Sequence, residues 1–372
     1  MNQNETSIKT TFRHVVLRGT AYSIGVAQAE QIEGIPDWKQ FFESGRGIPQ
    51  RASLDETVQL MRRYNPAAEE EIAGFCDTLK IAAADLIYYA STHLKARHCS
   101  HLVALPAVTT NGHTLMGRNY DFGDSMDDMR LCSTTITGKY AHIGFSSMFF
   151  GRQEGINEHG LAVTASVGGM PVGIMAGLTP PLENGLQFWA QVRAILEECK
   201  TVSEAQALFM EIPNCSNPIF LIADASGAAV IAEGYGRHKL VRPVENGWAV
   251  ATNHFTSSAM RPFNPQIMAN SAVRTQTASH YLETSQGQID SNGIKQLLAT
   301  PYPHGLTCHY YKEYFGTLHS MLFDLNERSV QVTFGSPAVN PWHTFKFGEG
   351  DQAQYESTLP LEHSDPQFWT VA

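Results

Sequence analysis

The chain has no uninterrupted apolar run of the roughly 18 residues that a membrane helix needs, and none of its basic residues gather into a cluster or stripe. Its formal net charge is -10. Nucleic-acid binders usually carry a basic stripe, so a nucleic-acid partner is not expected, and neither is a membrane partner. The first residues, Met1-Asn2-Gln3-Asn4-Glu5-Thr6, are polar and lack the apolar centre of a signal peptide. The expectation is a soluble cytoplasmic protein. Six cysteines are scattered with no CxxC pair. In such a context they read as free thiols, most of them inert core residues. No repeat and no low-complexity linker interrupts the chain.

What remains is ordinary globular material. A hydrophobic fraction of 43% and a charged fraction of 17% over 372 residues suffice for a large core. After a strand at Phe12–Gly19, the first 98 residues read mainly as helix. Ser53 and Glu56 have capping-box spacing, and Asn65-Pro66 stops one helix and starts another. Ile72, Phe75, Cys76 and Leu79 recur at helical spacing, and a helix-like run from Ala83 to Leu94 leads up to Cys99.

At Cys99 the period changes. Cys99–Pro106 and His113–Asn119 read as paired strands joined through Thr110-Asn111-Gly112, an Asn-Gly hairpin signal. Strands are expected at Ser133–Thr137, His142–Phe145 and Leu161–Ser166, then two helices across Leu186–Cys199 and Thr201–Phe209. Strands return over 219–252. Helices near Ser271–Leu282 and Gly293–Leu298 come next, then strands at Thr317–Asp324 and Val330–Gly335 and a polar, loose tail from Gly348. Alternating blocks of helices and strands fit an α+β sandwich with helix layers outside two sheets.

Ordered motifs carry a resemblance. They are Leu17-Arg18-Gly19-Thr20-Ala21-Tyr22-Ser23-Ile24-Gly25, Cys99-Ser100, Asn111-Gly112 and Gly117-Arg118-Asn119-Tyr120-Asp121. Asn157-Glu158-His159-Gly160-Leu161, Thr252-Asn253-His254-Phe255, Ser271-Ala272-Val273-Arg274, Thr317-Leu318-His319-Ser320 and Gly335-Ser336-Pro337 continue the series. Together they resemble the N-terminal-nucleophile (Ntn) cysteine hydrolases related to isopenicillin N acyltransferase and choloylglycine hydrolase. The resemblance implies a four-layer αββα sandwich of two antiparallel sheets. It implies self-cleavage between His98 and Cys99, giving a small chain 1–98 and a catalytic chain 99–372. It implies hydrolysis or acyl transfer at a linear amide of a small molecule, with no cofactor; a homo-oligomer is left open.

The chemistry that this implies is compact. A Cys99 freed at a chain start gains an α-amino group with a pKa of about 7.7–8.0, near working pH, which can take the thiol proton. The resemblance gives Asn253 the oxyanion, Asp121 the new amine, and Arg118 and Arg274 the charge around the thiolate. Losing an oxyanion donor typically costs about 100- to 1,000-fold in rate. Ser166-Val167-Gly168 stands where bile salt hydrolases place a second oxyanion Asn, so a second donor there would be a backbone N–H. Two other readings are carried: a catalytically silent binding protein of the same fold, and a zinc hydrolase built on His98, Cys99 and His101 with His304, Cys308 and His309. Met148-Phe149-Phe150 and Trp189 read as core or as an acyl pocket, and His159, His254 and His319 as structural.

Overall fold

The computed structural model describes residues 6–33, 37–43, 53–89, 93–94, 98–125, 127–168, 178–179, 183–264 and 266–372. Its strands begin with β1 (Ser7–Gly19), β2 (His93–Leu94), β3 (His98–Ala104), β4 (Leu115–Phe122), β5 (Arg130–Ile136) and β6 (His142–Ser147). Next come β7 (Gly151–Arg152), β8 (Glu154–Asn157), β9 (Ala162–Val167), β10 (Leu178–Thr179), β11 (Pro218–Ala223), β12 (Ala229–Tyr235) and β13 (His238–Pro243). The last are β14 (Trp248–Ala251), β15 (His309–Tyr310), β16 (Phe315–Asp324), β17 (Ser329–Phe334), β18 (Trp342–Lys346) and β19 (Ala353–Pro360). The helices are α1 (Ala21–Ile32), α2 (Trp38–Phe42), α3 (Leu54–Tyr64), α4 (Pro66–Leu79), α5 (Phe188–Glu198), α6 (Val202–Glu211), α7 (Ala269–Thr284) and α8 (Ser291–Ala299).

Two sheets stack face to face. The larger runs β13-β12-β11-β9-β8-β6-β5-β1-β19, and the smaller β14-β3-β4-β16-β17-β18. Strand periodicity sorts the side chains into layers. Ile219, Leu221 and Ala223 of β11 meet Val103, Met116, Leu318 and Val332 of the smaller sheet in the central layer. Phe220 and Ile222, one residue out of phase, pack under α4, α5 and α6. On the far side, Leu102, Ala104 and Leu322 meet Ala278 and Leu282 of α7 and Ile294 and Leu298 of α8. The order is therefore helix, sheet, sheet, helix, as expected. The pairing is antiparallel throughout the two sheets except between β1 and β5, which run parallel.

Local signals account for the helices. The Ser53–Glu56 capping box forms at α3, and Asn65 caps α4 with Pro66 in the first turn. α1 and α4 touch at Gly25 and Gly74, where a Cβ would come within 1.9 Å of the Glu71 carbonyl oxygen or 2.2 Å of that of Tyr22.

Three expectations need correcting. Ala83–Leu94 is not a continuous helix; it holds two 3-10 turns, Ala83–Asp85 and Ile87–Tyr89, and then β2, with 90–92 outside the described residues. The β3–β4 pair is antiparallel, but its strands separate at Ala104 and Leu115, so the connection is longer than a tight hairpin. The polar tail is not loose: β19 pairs with β1 from Ser7↔Pro360 to His14↔Ala353.

Candidate active site

β3 sits between β14 and β4. Its alternation turns Cys99 and Val103 into the layer between the sheets and Leu102 and Ala104 toward α7 and α8. Cys99 is buried, at 1% exposure. Arg118 stands two residues before Tyr120, the cross-strand partner of Cys99, and so projects from the same face of β4. Its Nη2 donates to Cys99 Sγ at 3.3 Å. Burial pushes the thiol pKa up; Arg118 pulls it down, Asp121 and Glu154 push it up again, and Arg274 pulls it down. The balance lies above the ordinary value, so in the uncut chain the sulfur keeps its proton at neutral pH.

The backbone of Cys99 is held as closely as its sulfur. Its N–H donates to Asn253 Oδ1 at 3.0 Å. Arg274 Nη2 donates to the same oxygen at 3.0 Å, and Asn253 Nδ2 donates to the Val167 carbonyl at 3.1 Å. Two donors on one oxygen fix which way the Asn253 amide faces. Arg274 Nη1 donates to the Cys99 carbonyl at 2.7 Å and to Ser100 Oγ at 2.9 Å. Arg274 therefore grips the main chain after Cys99, whereas Arg118 touches the sulfur.

α7 explains how Arg274 arrives there. Asn270, Arg274, Ala278 and Leu282 are buried at i, i+4 spacing along one stripe. The apolar half packs on the core, and the polar half meets Cys99. Asn270 Oδ1 accepts from Arg274 Nη2 at 2.9 Å, which fixes the guanidinium from its own helix.

Asp121 is the cross-strand partner of His98, the residue before the thiol. Its Oδ1 accepts from Thr317 Oγ1 at 2.5 Å, and its Oδ2 has no hydrogen-bond partner among the described residues. Burial pushes its pKa up to about 6, against Arg274, the Thr317 hydrogen bond and Arg118, which lower it. Register shifts between Thr317 and His319, so the bulge lies beside this carboxyl. The His98 ring stacks on Phe315 with centroids 4.0 Å apart. Burial first, and then Arg274, hold it well below the usual imidazole pKa.

Sequence reasoning missed Glu154. From β8 of the facing sheet, its carboxylate pairs with Arg118 Nε, and its Oε1 lies 3.1 Å from His319 Nε2. The His319 ring is stacked between Phe145 and Tyr120, with centroids 3.6 and 4.8 Å away. Burial pushes the Glu154 carboxyl up, yet Arg118 and His319 together hold its pKa below the ordinary value. No sequence signal separates Glu154 from the other acids; only the stacking of two sheets brings it under Arg118.

Other expectations resolve differently. The Gly168 N–H donates to the Asn217 carbonyl at 2.8 Å, so it is not the second oxyanion donor; residues 169–177 lie outside the described residues. Asn157 ties its turn to the end of α5 through Leu196 and Cys199 carbonyls. Phe149 and Phe150 pack on Phe42 and Phe75, and Trp189 on Tyr88, all within core. The histidine and cysteine clusters do not assemble: among the described residues, no group of three or more His, Cys, Asp or Glu side chains could hold a metal ion. No helix among those residues is long and apolar enough to cross a membrane.

Residues 108–339 match the sequence profile of the family described as acyl-coenzyme A:6-aminopenicillanic acid acyl-transferase. That span contains Arg118, Asp121, Asn253 and Arg274 and begins after Cys99. No curated protein matches the chain. Among solved structures, a mutant of conjugated bile acid hydrolase from Clostridium perfringens is 12% identical, with TM-score 0.46 over 72% of this chain and 99% of that one. Penicillin V acylase from Agrobacterium tumefaciens is 16% identical, with TM-score 0.45 over 69% and 90%. The Caenorhabditis elegans ortholog of N-acylethanolamine-hydrolyzing acid amidase is 16% identical, with TM-score 0.41 over 61% and 93%.

Proposed function

Because the chain belongs to the acyl-coenzyme A:6-aminopenicillanic acid acyl-transferase family, we propose that it is a self-processing cysteine amidohydrolase or acyltransferase acting on a linear amide of a small molecule. One observation carries the reading. Asn253 Oδ1 holds, at 3.0 Å, the same nitrogen that cleavage before Cys99 would turn into a free amine. An inert core cysteine has no need of a side-chain acceptor on its N–H, a guanidinium on its sulfur and a second guanidinium on its carbonyl.

The precursor step begins with Cys99 Sγ attacking the His98 carbonyl carbon. The C–N bond breaks, the Cys99 nitrogen leaves as an amine, and a thioester remains. Water then hydrolyses the thioester, giving a His98 carboxylate and a free Cys99. In the mature site the α-amine takes the thiol proton and stays against Asn253 Oδ1. The thiolate adds to the substrate carbonyl, the Asn253 amide meets the oxyanion, and the substrate amine departs with the proton. Water or an incoming amine resolves the acyl-thioester. Arg118 acts on the sulfur, Glu154 positions Arg118, and Arg274 fixes the main chain and Asn253. Asp121 sits beside the bond to be cut.

Intact mass of the freshly denatured protein tests processing. Two species corresponding to 1–98 and 99–372 are expected, with a single uncut, inactive chain for Cys99→Ala. An active wild-type chain that stays in one piece would overturn the proposal.

A further inference from the structure

A cavity of about 410 Å³ lies where β19 begins beside β1 and β5, near the C-terminal end of α1. It is lined by Arg13, Arg130, Gln31, Gln352, Gln354 and Phe149 among others, and no carboxylate of the described residues lines it. Arg130 reaches Gln28 of α1 and so lies on the helix-covered face of the larger sheet, whereas Cys99 lies on the other side, between the sheets. The two sites are separate, and a ligand in this cavity does not depend on the chemistry proposed for Cys99.

Three features of this cavity lack a structural explanation. First, Arg13 and Arg130 are direct partners across the parallel β1–β5 ladder. Like charges placed opposite one another destabilise a sheet. Second, Arg130 is only 6% exposed, and its Nη1 has no hydrogen-bond partner among the described residues. Its contacts are a neutral amide, Gln28 Oε1 at 2.5 Å, and the face of Phe149, 3.7 Å below its Cζ. Asp128 Oδ2 accepts from the Phe149 N–H at 2.8 Å, and no ion pair joins Asp128 to Arg130 among the described residues. A buried charge without a counter-charge is costly. Third, Met129, Met148 and Phe149 all adopt left-handed backbone, with φ of 47°, 51° and 70°. Residues with side chains seldom take that conformation, because the Cβ crowds the backbone there. The Phe149 ring lies beneath the guanidinium, which is buried at the wall of the cavity.

We propose that this cavity binds a small ligand through an oxyanion group, a phosphate or a carboxylate, held between Arg13 and Arg130, with Gln31, Gln352 and Gln354 as hydrogen-bond partners for the rest of the molecule. Guanidinium groups present paired N–H donors that match both anions. The volume suits a compact metabolite, since small-molecule sites run from about 300 to 1,000 Å³. An anion there supplies the counter-charge that the fold omits.

Thermal melts and calorimetry of the full-length protein with inorganic phosphate, with acetate, and with sodium chloride at matched ionic strength test the site. A saturable rise in melting temperature with phosphate or acetate, above that with chloride, is expected, and the more effective anion names the head group. Arg13→Gln, at an exposed position that tolerates the change, should weaken the binding about tenfold, the loss of one charge-assisted pair. Arg130→Gln should abolish it if the variant folds. A response equal to that of chloride, or one that Arg13→Gln leaves unchanged, overturns the proposal.

Discussion

At the scale of single residues, the sulfur of Cys99 is governed by opposed charges. Arg118 lowers its pKa, and Glu154, which neutralises Arg118, raises it. Replacing Glu154 by Gln removes a negative charge from the surroundings of the thiol and leaves Arg118 unbalanced. The thiol pKa should fall, read as alkylation of Cys99 beginning at lower pH. Stability should fall too, by about 3–5 kcal/mol, the usual cost of breaking a buried pair. A melting loss without an alkylation shift would leave Glu154 a purely structural role. Asp121 behaves in the opposite sense. Its carboxyl is raised from 3.8 to about 6 in the fold. Below the lower value both folded and unfolded chains hold the proton. Between the two, only the unfolded chain releases it, so this stabilising contribution is lost as pH rises through about 6. Asp121→Asn can still accept from Thr317. It should be more stable than wild type at pH 7.5 by on the order of 2–3 kcal/mol, given about 1.4 kcal/mol per unit. That advantage should vanish toward pH 4, and turnover should drop. Denaturant melts at both pH values check this.

Cys99, Arg118, Asp121, Asn253 and Arg274 were legible in the sequence because each stands in a short motif, and the motifs succeed one another in a known order. The structure brings all five together around one peptide unit. Glu154 was not legible, because its partner lies on a different sheet and cross-sheet contacts leave no local period in the sequence.

Elements were legible where a local rule suffices. The caps of α3 and α4 and the strands of the central layer are set by neighbours a few residues apart. β19 was missed because an edge strand with Gln354, Glu356 and Thr358 on one face looks like a polar tail until β1 is beside it. The Ala83–Leu94 run misled for a related reason: apolar residues packed against the helix layer have no need of helical period, and Tyr88 and Tyr89 are buried from a 3-10 turn with Leu86 buried just before it. The close crossing of α1 over α4 makes a sharper forecast. A methyl group at Gly74 would meet the Tyr22 carbonyl oxygen at 2.2 Å, with backbone on both sides and nowhere to yield. Gly74→Ala should destabilise by roughly 1–3 kcal/mol or more, despite the better helix propensity of alanine. A rise in the denaturant midpoint would contradict the crossing.

For the molecule as a whole, residues 1–98 are knitted into the rest of the chain. β1 lies inside the larger sheet, paired with β5 on one side and β19 on the other. Glu71 pairs with Arg193 at 2.7 Å, and Asn65 Nδ2 donates to the Ala190 carbonyl at 3.0 Å, all of them buried. Cutting before Cys99 breaks one peptide bond and none of these contacts. The two pieces should therefore co-elute under native conditions and part only in denaturant, with the midpoint lowered in Glu71→Gln. Loss of the 1–98 piece in native buffer would show that the ladder and the buried pairs do not hold it.

The central claim is that a freed Cys99 carries the acyl group, and trapping that group tests it most directly. Processed protein is mixed with an N-acyl substrate, quenched in acid within one turnover, digested and weighed. An acyl adduct on the peptide that begins with Cys99, removed by hydroxylamine, is the predicted result. Turnover with that peptide unmodified throughout, or an adduct on another residue, would contradict it.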